Sequence, residues 1–229
     1  MRVFLIHGMG RGPWSMLTLE WRLRRLGHRV TKFGYAVALQ SFDTIVDRFV
    51  DRIETTLEKD RQRNDAGGGE YAVIGHSLGN IITRRASPRL PDGFERFVML
   101  APPNQSPAVA RFFWDFWLFR LLTGDAGSRL VDKDFYEGLP VPEVPTLIIA
   151  GTKGPRSERL PYGEAPNDAI VSVDETRLAD IPMLEVPAIH SFLMNRGDVF
   201  RAIRQFFEGS LDRAKIQATQ RQHATDAGE

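Results

Sequence analysis

Residues 72–80 read AVIGHSLGN and place Gly-x-Ser-x-Gly directly after a run of small apolar residues. Where a buried strand turns sharply into a helix, side chains two residues before and after the turning residue would clash. Glycines at positions 75 and 79 remove those side chains, so the turn can tighten and the Ser77 hydroxyl can stand clear. The first N–H groups of the next helix then point toward that hydroxyl. The stretch predicts a nucleophilic serine, and the alternative is a glycine–serine turn without chemistry.

Short apolar runs predict strands that alternate with helices along the chain. The runs are dense in Val, Ile and Leu with little alternation, which is typical of strands buried on both faces of a parallel sheet. The clearest helical pattern follows Ser41, its expected N-cap. We expect strands at residues 3–6, 28–35, 71–75, 96–102, 146–151 and 183–187, and helices at 14–26, 42–57, 80–87 and 199–207, the last ending before Gly209. This order predicts an α/β fold with a compact, mostly parallel sheet of about six strands and helices on both faces.

The length of 229 residues suits a single domain. We expect that domain to span residues 1–208, and the polar residues 209–229 to form a C-terminal tail. Residues 103–145 form an insertion after the fourth strand.

The most aromatic stretch of the insertion is RFFWDFWLFRLL at residues 111–122. One interpretation is a lid over the serine, with Phe113, Trp114 and Trp117 lining an apolar substrate pocket. The other is a helix packed on all sides as core. Contact with a membrane is disfavoured for this stretch because it lacks a lysine-rich polar face.

Composition excludes several classes of function. The chain has no cysteine, which excludes disulfides, a cysteine nucleophile and thiolate metal sites. A formal net charge of +1 implies no bulk attraction to nucleic acid, so no nucleic-acid partner is expected. The apolar run at residues 3–6 is too short for a signal peptide or a membrane span. We therefore expect a cytoplasmic protein without stable membrane insertion, and the sequence leaves its oligomeric state open.

A serine hydroxyl becomes a good nucleophile only when a base takes its proton. Of the five histidines, His190 alone lies in a loop between the sixth predicted strand and the last helix, at the carboxyl edge of the sheet. The base needs a carboxylate to orient it. Asp168 in the turn after the fifth strand is the first candidate for that acid, and Asp174 is the second, although its neighbours suggest a helix start.

The order Ser77, Asp168, His190 is the order of the catalytic triad in α/β-hydrolases. An oxyanion hole would complete the site. The N–H of Leu78 directly follows the serine, and the glycine-flanked Met9 in HGMGRG is the expected second donor.

At these motifs the sequence resembles the α/β-hydrolase superfamily, on its esterase and lipase side. The resemblance runs from residue 3 to about residue 208 and rests on FLIHGMGRGPWSM, VIGHSLGN, LAPPNQSP, NDAIVSVDETRL and HSFLM. Asn80 and Ala169 depart from it, since many relatives have glycine at both positions. The resemblance implies a serine esterase with no cofactor and no metal, acting on a small-molecule acyl ester through an acyl-serine intermediate. A thioesterase or amidase with the same triad, and a binding protein that keeps the fold without hydrolysis, are the alternatives.

Overall fold

The computed structural model of the chain describes residues 1–63, 69–108, 125–129 and 131–211. In these residues six strands form one sheet, and all neighbouring strands are parallel. The strands are β1 (Arg2–Ile6), β2 (Arg29–Phe33), β3 (Tyr71–His76), β4 (Phe94–Leu100), β5 (Thr146–Gly151) and β6 (Met183–Val186), and their order across the sheet is β2-β1-β3-β4-β5-β6. The predicted fold class is confirmed.

Helices cover both faces of this sheet. They are α1 (Leu17–Arg25), α2 (Phe42–Gln62), α3 (Leu78–Ala86), α4 (Lys133–Glu137), α5 (Val173–Thr176) and α6 (Gly197–Phe207), with 3-10 turns at Pro13–Met16, Ser87–Arg89 and His190–Asn195. None of the helices in the described residues is both long and apolar enough to cross a membrane.

Each face of the sheet has its own apolar core. On one face α2 and α3 pack against the sheet, with Phe49 and Ile81 among the fully buried side chains. On the other face α1 and α6 do so, with Leu23 and Ile203 buried there. The helices that follow β1 and β3 therefore pack on opposite faces of the sheet. In open parallel sheets, a crevice forms between the carboxyl ends of two such strands.

Helix α2 begins where the sequence predicts and ends five residues later than expected. The Ser41 hydroxyl accepts a hydrogen bond from the Thr44 N–H at 3.2 Å, which caps the first turn. At the other end Asp60 is buried and accepts a hydrogen bond from Arg2 Nε at 2.8 Å. This contact with β1 stabilises an extra turn of α2. The apolar pattern ends at Leu57 and therefore does not predict that turn.

The insertion contains helical residues that the sequence did not predict, namely α4 and residues 125–129. The aromatic stretch at 111–122, with Phe113, Trp114 and Trp117, lies outside the described residues. Residues 212–229 of the expected tail lie outside them as well.

Candidate active site

Ser77 occupies the turn between β3 and α3 in a backbone conformation that residues other than glycine rarely adopt. Its φ is 51° and its ψ is −123°. Its backbone N–H donates to the carbonyl of Leu100 at 2.9 Å, which fixes the turn to the end of β4. The surrounding sheet thus holds a strained residue at its carboxyl edge, and such strain is characteristic of functional sites.

Close packing explains both glycines of the motif. A Cβ on Gly79 would lie 2.6 Å from the carbonyl oxygen of Ile6, closer than real Cβ atoms come. A Cβ on Gly75 would collide with the side chain of Asn80. The Asn80 amide in turn donates from Nδ2 to the Leu100 carbonyl at 3.0 Å. Asn80 therefore fills the space that Gly75 leaves and holds the turn against β4.

The loop after β1 lies directly beside the serine because β1 and β3 are parallel neighbours. A Cβ on Gly8 would lie 2.8 Å from the Cβ of Ser77. Met9 follows Gly8 in this loop, and Leu78 follows Ser77 at the start of α3. Neither the Met9 N–H nor the Leu78 N–H donates to another described residue. Both are therefore available to an oxygen atom bound at this edge.

The carboxylate of Asp168 is fully buried in a tight loop after β5. Its Oδ1 accepts hydrogen bonds from the N–H groups of Ile170 at 3.0 Å and Val171 at 2.8 Å. Its Oδ2 lies 2.7 Å from Nδ1 of His190. Gly151 at the end of β5 permits this approach, since a Cβ there would lie 2.8 Å from the Cβ of Asp168.

Asp174, the second acid that the sequence left open, lies in α5. Its side chain is 81% exposed and pairs with Arg177 at 3.2 Å. The structure therefore brings Asp168, and not Asp174, to His190.

The contact with Asp168 fixes the tautomer of His190. A carboxylate accepts hydrogen bonds, so Nδ1 carries the proton and Nε2 of the neutral ring is left to accept one. The His190 backbone N–H also donates to the Asp168 carbonyl at 2.9 Å, which ties the two loops together. The Ser77 hydroxyl makes no hydrogen bond to the imidazole in this structure. In unliganded active sites such contacts are often loose and tighten when substrate binds.

His76 connects the two halves of the site, and sequence reasoning missed this. It is fully buried, its Nε2 lies 3.0 Å from the carbonyl oxygen of His190, and the two rings are 4.8 Å apart. Burial, followed by the charge of His190, holds the pKa of His76 well below its usual value of 6.5. His76 is therefore neutral, and its Nε2 donates to the carbonyl. The Gly-x-Ser-x-Gly motif allows any residue at position 76. The histidine itself was therefore the one feature of the sequence that could have indicated the contact.

His7 has a structural place at the end of β1. Its ring stacks on Tyr35 at 4.3 Å between centroids, and its Nδ1 donates to the Gly8 carbonyl at 2.8 Å. Burial lowers the pKa of His7, and the charge of Arg11 acts in the same direction. His7 is thus a neutral residue that supports the loop carrying Met9.

A cavity of about 550 Å³ lies near the insertion and does not include the serine. It is lined by Asn104, Gln105, Ser106, Lys133, Tyr136, Glu137 and Glu175. Because its lining does not include Ser77, we assign no acyl chain to it. Within the described residues, no three histidine or acidic side chains form a cluster that could hold a metal ion.

Comparison with known proteins places this geometry in a family. A model of the alpha/beta hydrolase family matches residues 3–226. The probable esterase PIR7A of Oryza sativa subsp. indica is 31% identical over 101 residues, which is 42% of this chain. The chain matches only 36% of the length of that relative.

Solved structures of other proteins share the fold. The mature lipase BlEst2 of Bacillus licheniformis superposes with a TM-score of 0.65 at 16% identity, over 88% of this chain and 89% of the lipase. An extracellular α/β-hydrolase from a Paenibacillus species superposes with a TM-score of 0.54 at 16% identity, over 92% of this chain and 98% of that chain. With the family match over nearly its whole length and the strained serine turn on a parallel sheet, the chain belongs to the α/β-hydrolase family.

Proposed function

We propose that the protein is a serine esterase that hydrolyses a carboxylic ester of an apolar acyl group. The observation that carries the proposal is the 2.7 Å contact between Asp168 and His190 at the sheet edge where the strained Ser77 stands. Ser77 is the nucleophile, His190 the base and Asp168 the acid that orients it. The family match and the similarity to a probable esterase support this chemistry.

The first half of the reaction forms an acyl-enzyme. Ser77 Oγ attacks the ester carbonyl carbon while Nε2 of His190 takes the hydroxyl proton. The N–H groups of Met9 and Leu78 stabilise the negative charge on the carbonyl oxygen. The tetrahedral intermediate then collapses, the bond to the alcohol oxygen breaks, and His190 returns the proton to that alcohol.

The second half releases the acid. His190 takes a proton from a water molecule, and the water oxygen attacks the acyl carbon. The bond to Ser77 Oγ breaks, and His190 gives the proton back to the serine. Asp168 stays ionised throughout and stabilises the imidazolium each time it forms.

The apolar acyl group is inferred from the aromatic stretch at residues 111–122. As lid residues, Phe113, Trp114 and Trp117 would contact the acyl chain and set its preferred length. Each CH₂ group lost from such a contact weakens binding by about 0.8 kcal/mol. Trp114→Ala and Trp117→Ala should then shift kcat/KM across short to long p-nitrophenyl esters with a modest change in melting temperature. A large drop in melting temperature with an unchanged chain-length profile would identify the stretch as core.

The decisive experiment is active-site labelling. A fluorophosphonate probe should label the protein on Ser77, located by peptide mass spectrometry, and labelling should abolish hydrolysis of p-nitrophenyl esters. Ser77→Ala should remove the label and lower turnover by about 10⁶-fold while the fold is kept. A protein that takes no label and hydrolyses no ester, thioester or amide would instead fit the binding-protein alternative.

A further inference from the structure

Both tryptophans in the described residues stand on the protein surface. Trp14 is 77% exposed, Trp21 is 54% exposed, and Leu17 between them is 44% exposed. Tryptophan side chains are on average well buried, so two exposed ones in a single segment need an explanation. The spacing of these residues places them on the outer side of the 3-10 turn and α1, whereas Leu19 and Leu23 face the core.

Cations lie over both indole rings. The Lys32 ammonium is 5.3 Å from the ring centroid of Trp14, and the Arg25 guanidinium is 4.0 Å from that of Trp21. We call Trp14, Leu17 and Trp21, together with these two cations and Arg24, the tryptophan face.

Positive charge is concentrated around this face. Residues 11–32 contain one acidic residue, Glu20, and the cations Arg11, Arg22, Arg24, Arg25, Arg29 and Lys32. Glu20 pairs with Lys32 at 2.6 Å and with Arg24 at 2.9 Å, and Asp60 from outside the segment pairs with Arg29. Even with these pairs, the cations of the segment outnumber the acids, although the formal net charge of the whole chain is only +1.

We propose that the tryptophan face docks on the surface of an anionic phospholipid bilayer. Indole rings combine an apolar body with a polar N–H and favour the headgroup level of a membrane. Lysine and arginine beside them are attracted to anionic headgroups. Each of the two indole rings has a cation over it. A protein partner would instead be matched by a contiguous, well-packed apolar patch that is poor in lysine.

The face borders the candidate active site. Helix α1 packs against the 3-10 turn His190–Asn195, and Arg22 Nη1 donates to the Arg196 carbonyl at 2.8 Å. Phe192, on that turn, is also exposed. Docking would therefore set the carboxyl edge of the sheet close to the lipid. The proposal does not depend on the identity of the reaction, because lipid binding is measured without substrate.

Co-sedimentation of the full chain with vesicles tests the proposal. Phosphatidylcholine vesicles that contain phosphatidylglycerol should pull the protein down, and pure phosphatidylcholine vesicles should do so far less. Added salt should weaken the binding. Trp14→Ala with Trp21→Ala should lower the partition coefficient at least tenfold with little change in melting temperature, since both rings are exposed. Arg25→Gln should weaken binding to the anionic vesicles by about fivefold, the usual value for one cation near such a surface.

Two control variants carry comparable changes elsewhere. Val141→Ala removes an exposed apolar side chain from the loop before β5, at the amino edge of the sheet, and Arg52→Gln removes an exposed cation from α2 on the opposite face of the sheet. Both should bind vesicles like the parent protein. Equal loss in the controls, equal binding to neutral and anionic vesicles, or no binding to either would overturn the proposal. So would a concentration-dependent dimer, detected by sedimentation velocity, that Trp14→Ala with Trp21→Ala abolishes.

Discussion

His76 and His190 are joined by a hydrogen bond between the side chain of the first and the backbone of the second. Nε2 of His76 donates to the His190 carbonyl at 3.0 Å, and the rings are tilted by 51° to each other. His76 is also the residue before Ser77. One buried side chain therefore connects the turn of the candidate nucleophile to the loop of the candidate base, across 114 residues of sequence.

Loss of this hydrogen bond should misplace His190 and slow the chemical step. We expect His76→Leu to lower kcat by about a hundredfold, since small misplacements of catalytic groups have effects of that size. KM should change little because His76 is fully buried and does not reach the substrate. Steady-state kinetics on a soluble p-nitrophenyl ester would measure both constants.

A glutamine at position 76 separates positioning from bulk packing. His76→Gln keeps an N–H donor that can reach the His190 carbonyl, so it should recover much of the kcat that His76→Leu loses. If the two variants lose kcat equally and melt at equally lowered temperatures, then His76 only fills space.

The neutral state of His76 also predicts how stability depends on pH. Its folded-state pKa lies well below 6.5 because of burial, whereas in the unfolded chain it takes up a proton near that pH. The unfolded state then binds more protons, so the free energy of unfolding falls as pH drops below 6.5. One such histidine contributes a slope of up to about 1.4 kcal/mol per pH unit. His7, whose pKa is also lowered by burial, adds to this slope.

Urea unfolding at neutral and mildly acidic pH would measure that slope. Carboxylate titration is common to the parent and to His76→Gln, so the difference between their slopes isolates His76. We expect the variant to lose less stability on acidification than the parent. Equal slopes would mean that folding does not lower the pKa of His76.

The two acids near the site should differ sharply on mutation. In Asp168→Asn an amide would face Nδ1 of His190 and favour the tautomer with its proton on Nε2, so we expect kcat to fall by about 10⁴-fold. Asp174→Asn is the matched control, since its side chain is exposed and lies in α5. It should keep the parent kcat. A larger loss in Asp174→Asn would reassign the acid.

The strands of the sheet could be predicted because each one is marked by a local run of apolar residues. Strands buried on both faces need unbroken apolar runs, and β3 and β5, for example, are buried along their whole length. The strained serine was also visible, since only small residues fit at 75 and 79. The catalytic roles of Ser77, Asp168, His190, Met9 and Leu78 stay predictions until variants are measured.

Features that depend on contacts between distant segments could not be predicted. The last turn of α2 depends on a pair between Asp60 and Arg2, which are 58 residues apart. Helix α4 has only five residues, which is too short for a periodic apolar pattern. It is held by the Asp132 cap and by the buried Tyr136. The contact of His76 with His190 likewise arises only when the loops meet.

Ala169 offers a test of strain in the acid loop. Its φ is 84°, in the left-handed region, where an alanine is disfavoured by roughly 1–2 kcal/mol relative to glycine. Both polar groups of the Ala169 backbone make hydrogen bonds. Its N–H donates to Asn167 Oδ1 at 2.8 Å, and its carbonyl accepts from the Tyr162 hydroxyl at 3.1 Å. Glycine would keep both hydrogen bonds.

Ala169→Gly should therefore raise the free energy of unfolding by about 0.5–1 kcal/mol, the relief of strain less the extra freedom of glycine in the unfolded chain. Ala165→Gly is the matched control, because Ala165 lies in the same loop and is not among the described residues with positive φ. It should lower stability by a similar amount. Urea unfolding of both variants would show whether each change raises or lowers the free energy of unfolding. The esterase activity of Ala169→Gly should equal that of the parent. If Ala169→Gly destabilises the protein as much as Ala165→Gly does, alanine is not strained at position 169 and the strain argument is wrong.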